Sequence, residues 1–228
     1  MSDQAELSIM DQPLGARALN KQARKQAILD AARALILEEK SKDFSMPALA
    51  ERAGVSLVTP YNLFGSKSNI LLEIVREDIF ERAREIDGLA CQDLAQWISD
   101  LSATLARVYY RNRHFYRRMI VTLVAQESAE RQRAVLDLSY DMFEGPVGRL
   151  QQSGSLAGTP GARTVARNLS HTVSGALQHR LMERGSEEAL KRDIECGVIL
   201  TLAGLCGDEQ RPLLLSRLLG LEASLLSV

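Results

Sequence analysis

Cysteine is scarce in this chain: Cys91, Cys196 and Cys206 are the three among 228 residues. An odd number without metal-ligand spacing argues against a disulfide framework and fits a reducing cytoplasm. Proline is equally thin, at six, so few positions are barred from helix. No apolar run reaches the roughly 18 residues of a membrane span, and the first residues lack the apolar core of a signal peptide. No membrane partner is therefore expected, and the cytoplasm is the expected location. Catalytic signatures are missing too. There is no phosphate-cradling glycine loop, dinucleotide fingerprint or nucleophile elbow. His171 and His179 stand two helical turns apart, too far for an i, i+4 metal pair, and no acid converges on them. The expectation is a non-enzyme with no metal and no cofactor.

What remains is helix-forming. Hydrophobic residues at 46% and charged residues at 25% are ordinary for a globular protein of one or two domains. The net charge is only −1, but it is unevenly spread. Residues 14–67 hold nine Lys/Arg against five Asp/Glu, whereas residues 68–228 hold 19 against 21. A basic reader on a slightly acidic body suits phosphate contact, although a solvated helix face gives the same imbalance.

The stretch from Ser45 to Phe64, followed by Gly65-Ser66-Lys67, organises the rest. Ser45 has the chemistry of an N-cap, with Phe44 and Leu49 at the positions of a hydrophobic staple and Pro47 harmless in a first turn. Leu49, Ala50 and Ala53 repeat at helical spacing. Gly54 supplies the freedom for a sharp corner and Val55 plugs the angle. The second helix then starts from one of two caps. Either Ser56 caps it and Pro60 removes its first internal hydrogen bond, or Thr59 caps it and Pro60 is the first helical residue. A short helix held against another across a tight turn is the helix-turn-helix device, whose second helix enters the major groove of DNA.

Ala53-Gly54-Val55-Ser56, then Tyr61-Asn62-Leu63-Phe64-Gly65-Ser66-Lys67, resembles the DNA-binding end of the tetracycline-repressor (TetR) family of bacterial regulators. The resemblance covers residues 24 to 75. Val58, Pro60 and Ser68 depart from the family's usual residues. Tyr61 and Lys67 resemble the family's phosphate-contacting positions. Ser45 sits where a helix start meets a phosphate. Thr59 and Asn62 carry short polar groups suited to base edges, and Ser56 and Leu57 complete the candidate DNA-binding set.

Around this reader the chain reads as helices throughout. Residues 1–16 lack a sustained period and are expected to form a disordered tail. Arg17, Lys21, Arg24 and Lys25 form a basic lead-in, with a phosphate-contacting arm and a solubilising surface as its two readings. Ala27, Ile28, Ala31, Ala32, Leu35 and Ile36 form the stripe of a first helix. Ser66 can cap a fourth helix with Ile70, Leu71, Ile74, Val75 and Ile79 buried and Glu73, Arg76, Glu77 and Asp78 largely exposed. Later helices are expected over 93–110, 115–125, 129–150 (interrupted or kinked at Gly145-Pro146), 162–183, 187–205 and 209–226. The expected fold is all-α, with a helix-turn-helix DNA-binding domain over 17–66 and a larger ligand-binding and dimerisation domain over 67–228.

Two constellations in the body invite function. Trp97, Tyr109, His114, Met119, Thr122, Tyr140 and Phe143 combine apolar bodies with polar tips, as the lining of a pocket for an apolar effector does. Core packing is the plainer reading of each. The apolar helix around Gly197, Thr201 and Gly204, with Ala166, Ser170, Val173, Ser174 and Leu177 on the helix before it, is expected to form a four-helix interface with a second copy. The resemblance implies a homodimer on a near-palindromic, double-stranded DNA operator, acting as a repressor released by a small molecule of unknown identity. The alternative is a helical ligand-binding or interaction module without sequence-specific DNA binding.

Overall fold

A computed structural model describes residues 16–38, 44–90, 93–124, 129–183 and 185–226. Ten helices make up the fold among these residues, with an isolated bridge between Leu156 and Cys206 and no strand. The first nine residue ranges in order are α1 (Ala16–Leu37), α2 (Met46–Arg52), α3 (Val58–Phe64), α4 (Lys67–Asp87), α5 (Leu94–Arg111), α6 (Arg113–Val124), α7 (Ala129–Gln152), α8 (Ala162–Glu183) and α9 (Glu187–Leu202), and α10 (Arg211–Leu226) closes the chain. The expected tail lies outside the described residues except for Ala16, which opens α1. Compactness divides the chain inside α4, between Glu73 and Ile74.

The first unit is built by local signals. The Ser45 side chain accepts the Ala48 amide at 3.2 Å and so satisfies one orphan donor of α2. At the other end of α2, the Val55 amide bonds back to Ala50 and the Gly54 amide to Glu51, at 3.0 and 3.1 Å. That is a Schellman ending, and it requires the left-handed backbone that Gly54 adopts at φ +65°. Ile28, Leu29, Ala32 and Ile36 of α1 and Leu49 and Ala50 of α2 are buried beside Pro60 of α3.

Neither sequence reading of the start of α3 holds. The capping position is Leu57, whose side chain makes no cap. The Ser56 and Thr59 hydroxyls instead bond to each other at 2.8 Å, and the Thr59 amide reaches the Ser56 carbonyl at 2.9 Å. Pro60 is the third helical residue, where no α-helix has an internal partner for the N–H. Its ring therefore removes no hydrogen bond.

The second unit centres on α5, capped by Asp93 through the amides of Ala95 and Gln96 at 2.9 and 3.2 Å. Trp97, Ile98, Leu101 and Leu105 are fully buried there. Helix α5 packs on α9, α9 on α8, and α8 on α7. Pro146 lies inside α7, whose helix runs on without interruption. The Ser186 side chain caps α9 through the Ala189 amide at 3.1 Å, and α9 stops at Leu202, short of the expected 205. Val75 is half-buried, and Asp78, expected in solvent, is mostly covered.

The α8–α9 contact explains one glycine. A Cβ on Gly197 would stand 2.3 Å from Cγ2 of Thr172. Gly197→Ala is therefore expected to destabilise the second unit by about 1–3 kcal/mol through overpacking. Thr172→Ser, which removes the opposing methyl, should recover most of that loss in the double variant. Urea unfolding of the four proteins measures both effects, and additive losses would contradict the contact.

Candidate nucleic-acid interface

Helix α3 has only seven residues, too few to persist alone. Its buried side is Pro60, and both α1 and α2 pack against it. The opposite side follows from the helical period. Leu57, Val58, Tyr61 and Asn62 are all exposed, Val58 at 59% and Tyr61 at 47%. These residues recur at i, i+1, i+4 and i+5, so they share one face. The face offers an amide, a phenol and two aliphatic groups, and thymine's methyl is the natural counterpart of an exposed valine. Val58 was missed in the sequence. Counting back one turn from Asn62 would have found it.

The other expected DNA contacts divide. Ser45 and Ser56 are exposed at the starts of α2 and α3. Thr59 is half-buried and its hydroxyl is engaged with Ser56, so it does not stand out among the groups turned to solvent. Lys67 is half-buried as well. Its ammonium donates to the Phe44 carbonyl and lies 4.5 Å from the Phe44 ring centroid. That contact ties the start of α4 to the residue before the α2 cap. Gly65, at φ +78°, lets the chain turn from α3 into α4, where the Ser66 side chain accepts the Asn69 amide at 3.2 Å.

In the body, the described members of the expected pocket set have different surroundings. Trp97 and Phe143 are fully buried core, and His114 is exposed. Tyr140 bonds to His171 across 3.0 Å. The side chains of Met119 and Thr122 lie outside the described residues. Tyr109 instead packs edge-on against Tyr116, with centroids 4.4 Å apart. This contact leads to a group that sequence reasoning overlooked. Arg82, 6% exposed, donates to Asp78 at 3.0 Å and to the Tyr116 hydroxyl at 2.8 Å. The Tyr116 hydroxyl in turn donates to Asp78 at 2.6 Å. Burial first, and then the Asp78 carboxylate, raise the Tyr109 and Tyr116 phenols far above their ordinary range, so both stay protonated.

The expected association face also needs correction. Ala166, Ser170, Val173 and Leu177 are buried within this chain, because that side of α8 meets the chain's own helices. Gly197 is covered by Thr172, and Ser174 is half-buried. Thr201 and Gly204 do reach the surface. Together with Asn168, Thr172, Leu200 and Leu205 they line a depression of about 400 Å³, with Leu200 66% exposed.

Comparison with known proteins decides the family. Residues 28–74 match the family described as bacterial regulatory proteins, tetR family. Residues 28–74 are therefore assigned to the tetR family of DNA-binding segments. The chain is a DNA-binding transcriptional regulator. Among solved structures it is similar to SmeT, the repressor of the Stenotrophomonas maltophilia multidrug efflux pump SmeDEF. They share 26% identity over 83% of this chain and 93% of SmeT, with a TM-score of 0.59. SmeT is also known in complex with triclosan. A tetR regulator from Rhodococcus sp. RHA1 matches at 22% identity over 80% of this chain and 97% of its own, with a TM-score of 0.63. Thermus thermophilus FadR, a repressor solved with lauroyl-CoA, shares the fold at 19% identity, over 80% and 95% of the two chains, with a TM-score of 0.66. No curated protein sequence matches the chain.

The buried polar group makes a quantitative expectation for this protein. Arg82→Leu should destabilise the body by about 3 kcal/mol, because it leaves the Asp78 carboxylate covered and unpaired. Asp78→Leu in the same chain should return part of the loss, which a double-variant cycle in urea would register.

Proposed function

We propose that this protein is a homodimeric cytoplasmic repressor without catalytic activity, released from a near-palindromic operator by a small apolar molecule. The exposed Val58–Tyr61–Asn62 face of α3 carries the reading. One short helix reaches few bases, and two of them in successive major grooves gain affinity and symmetry together. In this reading Asn62 and Val58 meet base edges, Tyr61 and Ser45 meet phosphates, and Ser56 and Leu57 border the contact. Thr59 and Lys67 hold the reader in shape.

The second copy joins through the surface around Leu200, where an exposed leucine beside a depression favours burial. The effector enters the body, and SmeT with triclosan supports an apolar class. Its influence reaches the reader through α4, which supplies residues to both units. Only a preference for the released arrangement can drive that shift.

A gel shift with the DNA flanking the chain's own coding region tests the DNA reading. Asn62→Ala should lose about 1–3 kcal/mol at particular operator positions while keeping its affinity for random DNA. Equal losses on both would remove Asn62 from base reading, and no retarded band with the native protein would favour a helical interaction module instead. For assembly, Leu200→Glu should yield folded monomers with weakened operator affinity in sedimentation and gel shift. A native protein that sediments as a monomer at micromolar concentration would sink the dimer.

A further inference from the structure

The stretch of α1 that precedes the family match is built unlike the rest of the reader. The tetR match starts at Ile28, yet α1 starts at Ala16, twelve residues earlier. Residues 18–24 are exposed without exception, so these two turns pack on nothing among the described residues. They also carry charge of one sign. No Asp or Glu lies between Ala16 and Leu29, whereas Lys21, Arg24 and Lys25 recur at i, i+3 and i+4, the spacing of one helical face. Neither Lys21 nor Arg24 has an ion-pair or hydrogen-bond partner among the described residues.

Position gives this basic face a direction. The Lys25 ammonium lies 5.7 Å from the centroid of the Phe64 ring, and Phe64 is the last residue of α3. The face therefore begins beside the far end of the recognition helix. Lys21 stands one turn further along α1, and seven exposed residues extend it by about 10 Å. An uncompensated basic ridge next to a major-groove helix suits the sugar-phosphate backbone. Its lysine and arginine ends neutralise phosphates without selecting a sequence.

We infer that the first turns of α1 are a phosphate-binding extension of the reader, with Lys21 and Arg24 each neutralising one backbone phosphate beside the groove that α3 occupies. This rests on the DNA-binding reading of α3 and adds to it a contact that raises affinity for all DNA alike. Lys25 is shared between Phe64 and solvent and is left out of the test.

The test is the salt dependence of binding by the full chain, on a 40-bp duplex of arbitrary sequence and on the flanking DNA used above. Lys21→Gln/Arg24→Gln keeps good helix formers and removes two charges. The slope of log Kobs against log salt should become shallower by about 2 for each chain engaged, equally on both DNAs. Lys21→Arg/Arg24→Lys should keep the native slope, because phosphate contact here asks for charge rather than shape. An unchanged slope for the Gln variant, or a loss confined to the specific DNA, overturns the extension while leaving the α3 reading intact. If the native protein binds neither DNA, the α3 reading fails and takes the extension with it.

Discussion

A seven-residue helix cannot hold itself together, and the reader is arranged around that constraint. Helix α3 makes few internal hydrogen bonds and has no side chain capping its start. Its order comes from outside. Pro60 is sealed against α1 and α2, the Schellman turn at Gly54 fixes the angle at which the chain leaves α2, and Gly65 with Ser66 fixes the angle at which it enters α4. The recognition face can be exposed and chemically varied because none of its residues is needed to keep α3 folded. Pro60 suits this helix because it falls where no internal hydrogen bond is expected.

The body solves a different problem. Long helices are stable enough to need only correct packing, and there the limiting quantity is space. Gly197 lets Thr172 approach the axis of α9, and the Thr201 hydroxyl bonds back to the Gly197 carbonyl at 2.8 Å in the same turn. Helix α10 is held back along α9 by polar links. Arg211 donates to the Ala203 and Cys206 carbonyls, at 3.0 Å each, and Arg217 pairs with buried Glu195. Among the described residues, buried Arg82 likewise has charged and hydroxyl partners, in Asp78 and Tyr116.

Local features were legible in the sequence and pairings between distant segments were not. Ser45 and Ser66 cap helices through amides three residues away, so their roles follow from neighbours alone. Gly54 was legible for the same reason. The start of α3 was not, because the effect of Pro60 depends on which preceding residue ends the turn, a difference of one position. The stripe of Ala166, Ser170, Val173 and Leu177 was read as a face toward a second copy, and it is buried within the chain. Periodicity states that a face is covered but not by which helix, and here the cover is the chain itself. Asp78 at four residues from Arg82 was a visible pair, yet its burial depends on Tyr116, 38 residues away. The aromatic residues of the body were read as one cluster from their proximity in sequence, and tertiary packing divides them among core, ring pair and surface.

Trp97 is the sole tryptophan of the chain and is wholly enclosed by the second unit. Its indole reports on the body from the inside, with the blue-shifted emission of an apolar environment and poor access for water-borne quenchers. The reader has no such chromophore. Tryptophan emission of this protein is therefore a signal of one half of the molecule, dark to any event confined to α1, α2 and α3.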